Sequence, residues 1–161
     1  MFTKSEIINI AIGIEESGFE FYKEAENTAP KDLKEVFQFL SKEELKHKEI
    51  FEEILRNLEK SKEIVINDED YAQNVKTIGH IAVFKKNELK EKIGTLDTPD
   101  KIISFAIEME ISSINYYNLL LEVESEKNKP LLNQIIAEER KHLAMLTGIL
   151  EKLKRLNGID F

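Results

Sequence analysis

Cysteine is absent from this chain, which excludes disulfides, zinc–thiolate sites and thiol nucleophiles and suits a cytoplasmic protein. Proline and glycine are scarce, with three and six copies, so long uninterrupted helices are possible. No window approaches the roughly 18 consecutive apolar residues of a membrane span. The opening Met1-Phe2-Thr3-Lys4-Ser5-Glu6 lacks the basic-then-apolar pattern of a signal peptide. Basic residues are in deficit, leaving a net charge of -8 that argues against nucleic acid as a partner. What is present is 161 residues, 42% hydrophobic and 34% charged, enough for a single soluble domain over 1–161 with a real core.

The chain is organised around Glu44-Leu45-Lys46-His47, which recurs as Glu139-Arg140-Lys141-His142. Residues three apart on a helix share a face, so each copy aims a carboxylate and an imidazole the same way. That face is the apolar one. Phe37, Leu40, Phe51, Ile54 and Leu58 keep helical spacing through the first copy, and Leu132, Ile135, Leu146, Ile149 and Leu153 through the second. Ionisable groups at core positions need a partner or a metal.

Thr3-Lys4-Ser5-Glu6 reads as a capping box opening a first helix that stops around Asn27. Its inward stripe of Ile8, Ala11, Glu15, Gly18, Tyr22 and Ala25 contains one acid. Pro30 opens a second, antiparallel helix over about 31–60. Hairpin 1 thus spans about 3–60. From 61 to 98 the pattern weakens: 62–66 looks extended or irregular, Asn67-Asp68-Glu69-Asp70 looks like a turn or cap, and 84–93 predicts a short helix ending at Gly94. Thr98-Pro99-Asp100 caps and opens a third main helix with the stripe Ile103, Ala106, Glu110, Ser113, Tyr117 and Leu120. Pro130 opens the last helix, which runs to about Leu156 and stops at Asn157-Gly158. Hairpin 2 spans about 99–157.

The halves superimpose in sequence. Glu15 to Glu110, Glu44 to Glu139 and His47 to His142 are each offset by 95 residues. Thr3 to Thr98, Ala11 to Ala106, Tyr22 to Tyr117 and Leu58 to Leu153 keep the same offset. A helical hairpin is written twice and joined by a long crossover, which predicts an all-α four-helix bundle. Glu15, Glu44, His47, Glu110, Glu139 and His142 then lie at one level as metal ligands. Four carboxylates would balance two divalent ions, with Glu44 and Glu139 bridging, Glu15 and Glu110 terminal, and one histidine on each ion. Mixed oxygen and imidazole ligands suit iron or manganese, and zinc can also bind. One glutamate from each of two helices plus Glu-x-x-His from the others is the pattern already described for ferritin-like di-iron proteins.

Neighbouring residues have plainer readings. For Tyr22 and Tyr117, core packing is preferred to a hydrogen bond onto a ligand glutamate. His80 is expected to be structural or exposed. Glu16, Glu43, Glu108 and Glu138 are rotated off the inner face, and most should be solvated. Gly18 is read as a close-packing position.

Ala11-Ile12-Gly13-Ile14-Glu15-Glu16-Ser17-Gly18-Phe19-Glu20-Phe21-Tyr22, followed by Glu43-Glu44-Leu45-Lys46-His47, resembles the di-iron domain of rubrerythrins, and 106–117 with 138–142 repeats it. The resemblance implies a ferritin-like bundle with two iron ions that reduces hydrogen peroxide or dioxygen, and a homodimer. Rubrerythrins usually carry a cysteine-bound iron domain for electron delivery; without cysteine, the resemblance implies a separate electron donor. Ser113 stands where the family carries a seventh carboxylate. The remaining six-ligand set is similar to the ferroxidase centre of bacterioferritin, which makes an iron-handling protein the alternative. A structural protein with an idle metal site is the third. The methionine that holds haem in bacterioferritin is matched by Leu45 and Arg140, so no haem is expected. The sequence assigns no catalytic role beyond the metal centre and leaves that point open.

Overall fold

The computed structural model describes residues 1–158. Four long helices form the frame: α1 (Lys4–Thr28), α2 (Lys31–Glu59), α5 (Pro99–Val123) and α6 (Lys129–Leu156). The crossover carries two shorter ones, α3 (Glu69–Ala82) and α4 (Lys86–Thr95), and two-residue strands β1 (Phe2–Thr3) and β2 (Val65–Ile66) pair antiparallel. The fold is the all-α bundle expected, with this one small ladder added. No helix among the described residues is long and apolar enough to cross a membrane.

Local chemistry accounts for the helix ends. Thr3 Oγ1 accepts from the Glu6 backbone N–H while Glu6 accepts from that of Thr3, closing the capping box. Pro30 cannot donate a backbone hydrogen bond, and it flanks the first turn of α2, where that loss is harmless. Gly158 adopts φ +71°, the left-handed conformation that ends α6, and its N–H bonds the Arg155 carbonyl. Thr98 departs from expectation. It occupies the N-cap of α5, but its side chain makes no capping bond and its hydroxyl is buried without a partner.

The crossover is more ordered than its sequence suggests. Asp68 caps α3 by accepting from the Tyr71 N–H at 2.9 Å. This 14-residue helix is absent from the sequence reading because the face it buries is mostly small: Ala72, Val75, Gly79 and Ala82 beside Tyr71. Small residues give weak periodicity but allow close approach; a Cβ at Gly79 would lie 2.6 Å from the Ile10 side chain. The second crossover helix starts at Lys86, not residue 84, and runs through Gly94. Phe84 stays extended because its N–H and carbonyl are both bonded to the Ser17 hydroxyl. At the bundle's end, Lys4 and Glu124 form a buried ion pair at 2.7 Å, and Ser125 N–H and Asn128 Nδ2 also donate to that carboxylate.

Two apolar clusters fill the bundle. One gathers Ile7, Ile8, Phe51, Ile54, Tyr116 and Leu132 towards one end. The other gathers Phe21, Phe37, Leu40, Ile103, Phe105 and Leu146 towards the opposite end. Glu15, Glu44, Glu110 and Glu139 lie between them in sequence along all four long helices. A polar layer there is held in place by packing on both sides.

Candidate metal centre

Glu15 projects from α1, Glu44 and His47 from α2, Glu110 from α5, and Glu139 and His142 from α6. All six are buried, none more than 4% exposed. The structure brings together every ligand candidate named from sequence. The ligand atoms of Glu15, Glu44, His47 and Glu139 lie within 4.8 Å of one another, and so do those of Glu44, Glu110, Glu139 and His142. Glu44 and Glu139 belong to both groups.

The imidazoles face the layer through Nδ1. His47 Nδ1 lies 3.2 Å from Glu139 Oε1 and 3.6 Å from Glu15 Oε2. His142 Nδ1 lies 2.9 Å from Glu139 Oε2 and 4.0 Å from both Glu44 and Glu110. Burial drives the Glu44 and Glu110 carboxyls well above the usual range, and the charge of Glu139 adds to the shift. Glu15 is raised for the same two reasons. Burial also acts to raise Glu139, but hydrogen bonds from His142 and His47 overcome it and bring that carboxyl down to about 2. His47 is the converse. Burial disfavours its charge, yet bonding to Glu139 and Glu15 takes it up to about 12.

A metal fits this donor set on two observations. Glu15 Oε2 and Glu44 Oε1 are buried without any hydrogen-bond partner, a condition that a cation would relieve. Gly18 also forms a cradle: a Cβ there would sit 2.5 Å from Glu44 Oε2, so the absent side chain leaves the space that this carboxylate occupies.

Three features go beyond the sequence reading. Tyr22 donates to Glu110 at 2.5 Å, and Tyr117 donates to Glu15, so each hydroxyl crosses to the other hairpin's glutamate. The preferred reading of these rings as core packing is corrected to include that bond; the 95-residue offset relating them was the available signal. Glu138, expected off the inner face, accepts a hydrogen bond from His47 Nε2 at 2.7 Å. Sequence missed this because the contact joins α6 to α2. Gly18 proves to be a close-packing position, as expected, but its neighbour is a candidate ligand. Glu16, Glu108 and His80 are exposed, and Glu43 is half-buried and paired with Lys46.

A sequence model for a protein family described as Rubrerythrin matches residues 6–150. Among solved structures, the chain is similar to a candidate ferritin-like diiron-carboxylate protein from Thermotoga maritima. The two are 22% identical, with a TM-score of 0.70, over 93% of this chain and 95% of that one. At that identity the likeness establishes the fold. No curated protein matches the sequence.

Proposed function

Because the chain belongs to the rubrerythrin family, we propose that its Glu/His layer holds two iron ions and acts as an oxidoreductase centre reducing hydrogen peroxide or dioxygen. One observation carries the reading: two four-residue ligand groups share Glu44 and Glu139. Those two glutamates would be common to both ions. Glu15 with His47 would complete one set, and Glu110 with His142 the other. Once bound, the iron pair supplies the electrons that reduce the oxidant.

The chain's own residues prepare that chemistry. Tyr22 and Tyr117 hold Glu110 and Glu15 by single hydrogen bonds, fixing two terminal carboxylates while leaving their other oxygens for a cation. Apolar clusters on either side limit water. A cavity of about 10 Å³ lined by Gly18, Tyr22, Glu44, Glu110 and Ser113, among others, adjoins the layer. That is on the scale of one water-sized molecule, in keeping with a small oxidant. The sequence contains no cysteine, so electrons come from a separate donor in this reading.

Ser113 favours a second reading, an iron-oxidising and iron-handling role, because it supplies no seventh carboxylate: its hydroxyl bonds the Met109 carbonyl within its own helix. Anaerobic loading with iron(II), elemental analysis and stopped-flow mixing with each oxidant separate the two. Two irons per chain and faster oxidation by peroxide, reversed by added reductant, support the peroxidase reading. Faster oxidation by dioxygen with uptake beyond two irons supports iron handling. Failure to bind two would overturn both.

A further inference from the structure

We propose that Glu43, Glu138 and the Nε2 edge of His47 form an outer cation site that delivers divalent metal to the buried layer. This inference rests on the metal-centre reading above. Ligand atoms of the three residues lie within 4.8 Å of one another. Nothing in the two-metal arrangement uses Glu43 or Glu138.

The His47 ring forms the wall between outside and inside. Its Nδ1 faces Glu15 and Glu139, while its Nε2 faces outward to Glu138 at 2.7 Å. The six ligand candidates are at most 4% exposed, whereas the Glu43 and Glu138 side chains are 15% and 31% exposed. Both line an open pocket of about 400 Å³ with Phe39, Lys141, His142 and Met145. A hydrated cation arriving by this pocket meets those two carboxylates in its wall, beside the edge of His142. Glu43 and Glu138 are themselves offset by 95 residues, and each directly precedes one of the shared glutamates, so the hairpin repeat places them together.

The chemistry suits transient occupancy. Two carboxylates balance one divalent ion, and the Nε2 edge of His47 offers a third donor. Lys46 Nζ, on a side chain 66% exposed, lies 2.5 Å from Glu43 Oε1 and can swing into water when a cation takes its place.

The test is cobalt(II) loading of the metal-free protein, followed by visible absorbance for rate and by chelator competition for final affinity. Wild type, Glu43→Gln, Glu138→Gln and Glu53→Gln are compared, the last being an exposed acid elsewhere on α2. Glu43→Gln is decisive, because the polar partner of Glu43 is Lys46 and not His47. The proposal expects two tightly bound cobalt ions in all four proteins and loading slowed about tenfold or more by Glu43→Gln and by Glu138→Gln, with Glu53→Gln unchanged. A rate lowered by Glu138→Gln alone would make Glu138 a positioning residue for His47 and overturn the outer site. Equal slowing by Glu53→Gln would assign the effect to overall surface charge and also overturn it. A wild type that binds no cobalt tightly would instead remove the metal-centre reading itself.

Discussion

Gly18→Ala is the sharpest single perturbation that the structure offers. A Cβ at residue 18 would lie 2.5 Å from Glu44 Oε2, 2.9 Å from its Cδ and 3.2 Å from its Cγ. Comfortable separations are nearer about 3.5 Å, so the carboxylate has to retreat by about 1 Å. It cannot retreat into water, because Glu44 is buried. Metal sites tolerate ligand displacements of only about 0.5 Å, and disturbing a ligand's support commonly lowers affinity by about 10- to 100-fold. That corresponds to about 1.4–2.8 kcal/mol of binding free energy. The folded state changes less. Alanine favours a helix over glycine by up to about 1 kcal/mol, while local overpacking costs about 1–3 kcal/mol. The metal-free variant should therefore fold, with a loss of no more than about 2 kcal/mol. Chelator competition measures the affinity, and thermal melting of the metal-free protein measures the fold. Gly148→Ala is the control, since a Cβ there meets nothing within 4 Å and should leave metal binding intact. Wild-type metal affinity in a folded Gly18→Ala protein would falsify the placement of Glu44 as a ligand held in this cradle.

Tyr22→Phe and Tyr117→Phe each strip a hydrogen bond from a buried glutamate, and each should lower metal-free stability by about 1–3 kcal/mol in denaturant titrations; no change in either would refute the crossed pairing. Lys4→Met leaves Glu124 buried without its cation and should cost about 3–5 kcal/mol, read from the denaturation midpoint, with metal stoichiometry unchanged. Metal uptake should release protons and tighten with rising pH, because Glu15, Glu44 and Glu110 are held above the ordinary carboxylate value and must ionise to bind; calorimetry in buffers of different ionisation enthalpy counts those protons. Without metal, stability should run the other way. The raised glutamates favour the fold below their ordinary 4.5 and lose that contribution as pH rises through their folded values. His47, raised from 6.5 to about 12, contributes fully below 6.5 and progressively less above it. Glu139, lowered from 4.5 to about 2, opposes this together with the lowered Glu138, Glu63 and Asp97, and such contributions are lost as pH falls below the ordinary carboxylate range. Metal-free melting temperatures that climb steadily from neutral to alkaline pH would refute the sign.

The sequence alone determined the bundle and the six residues at its centre. A constant offset of 95 relates caps, core positions, glutamates and histidines, and helical spacing turns each Glu-x-x-His into two groups on one face. Those are local and periodic facts, written in residue order. Tertiary structure decided everything that depends on one helix facing another. The crossed tyrosine–glutamate bonds join α1 to α5, and the Glu138–His47 contact joins α6 to α2. The fit of Glu44 over Gly18 depends on how closely α2 approaches α1. The helix α3 belongs to this second class as well, because its buried face of alanine, valine and glycine gains its meaning from Ile10 and Tyr116 packing against it. Periodicity reports which face of a helix is buried, but the partner that buries it is set by packing across the chain.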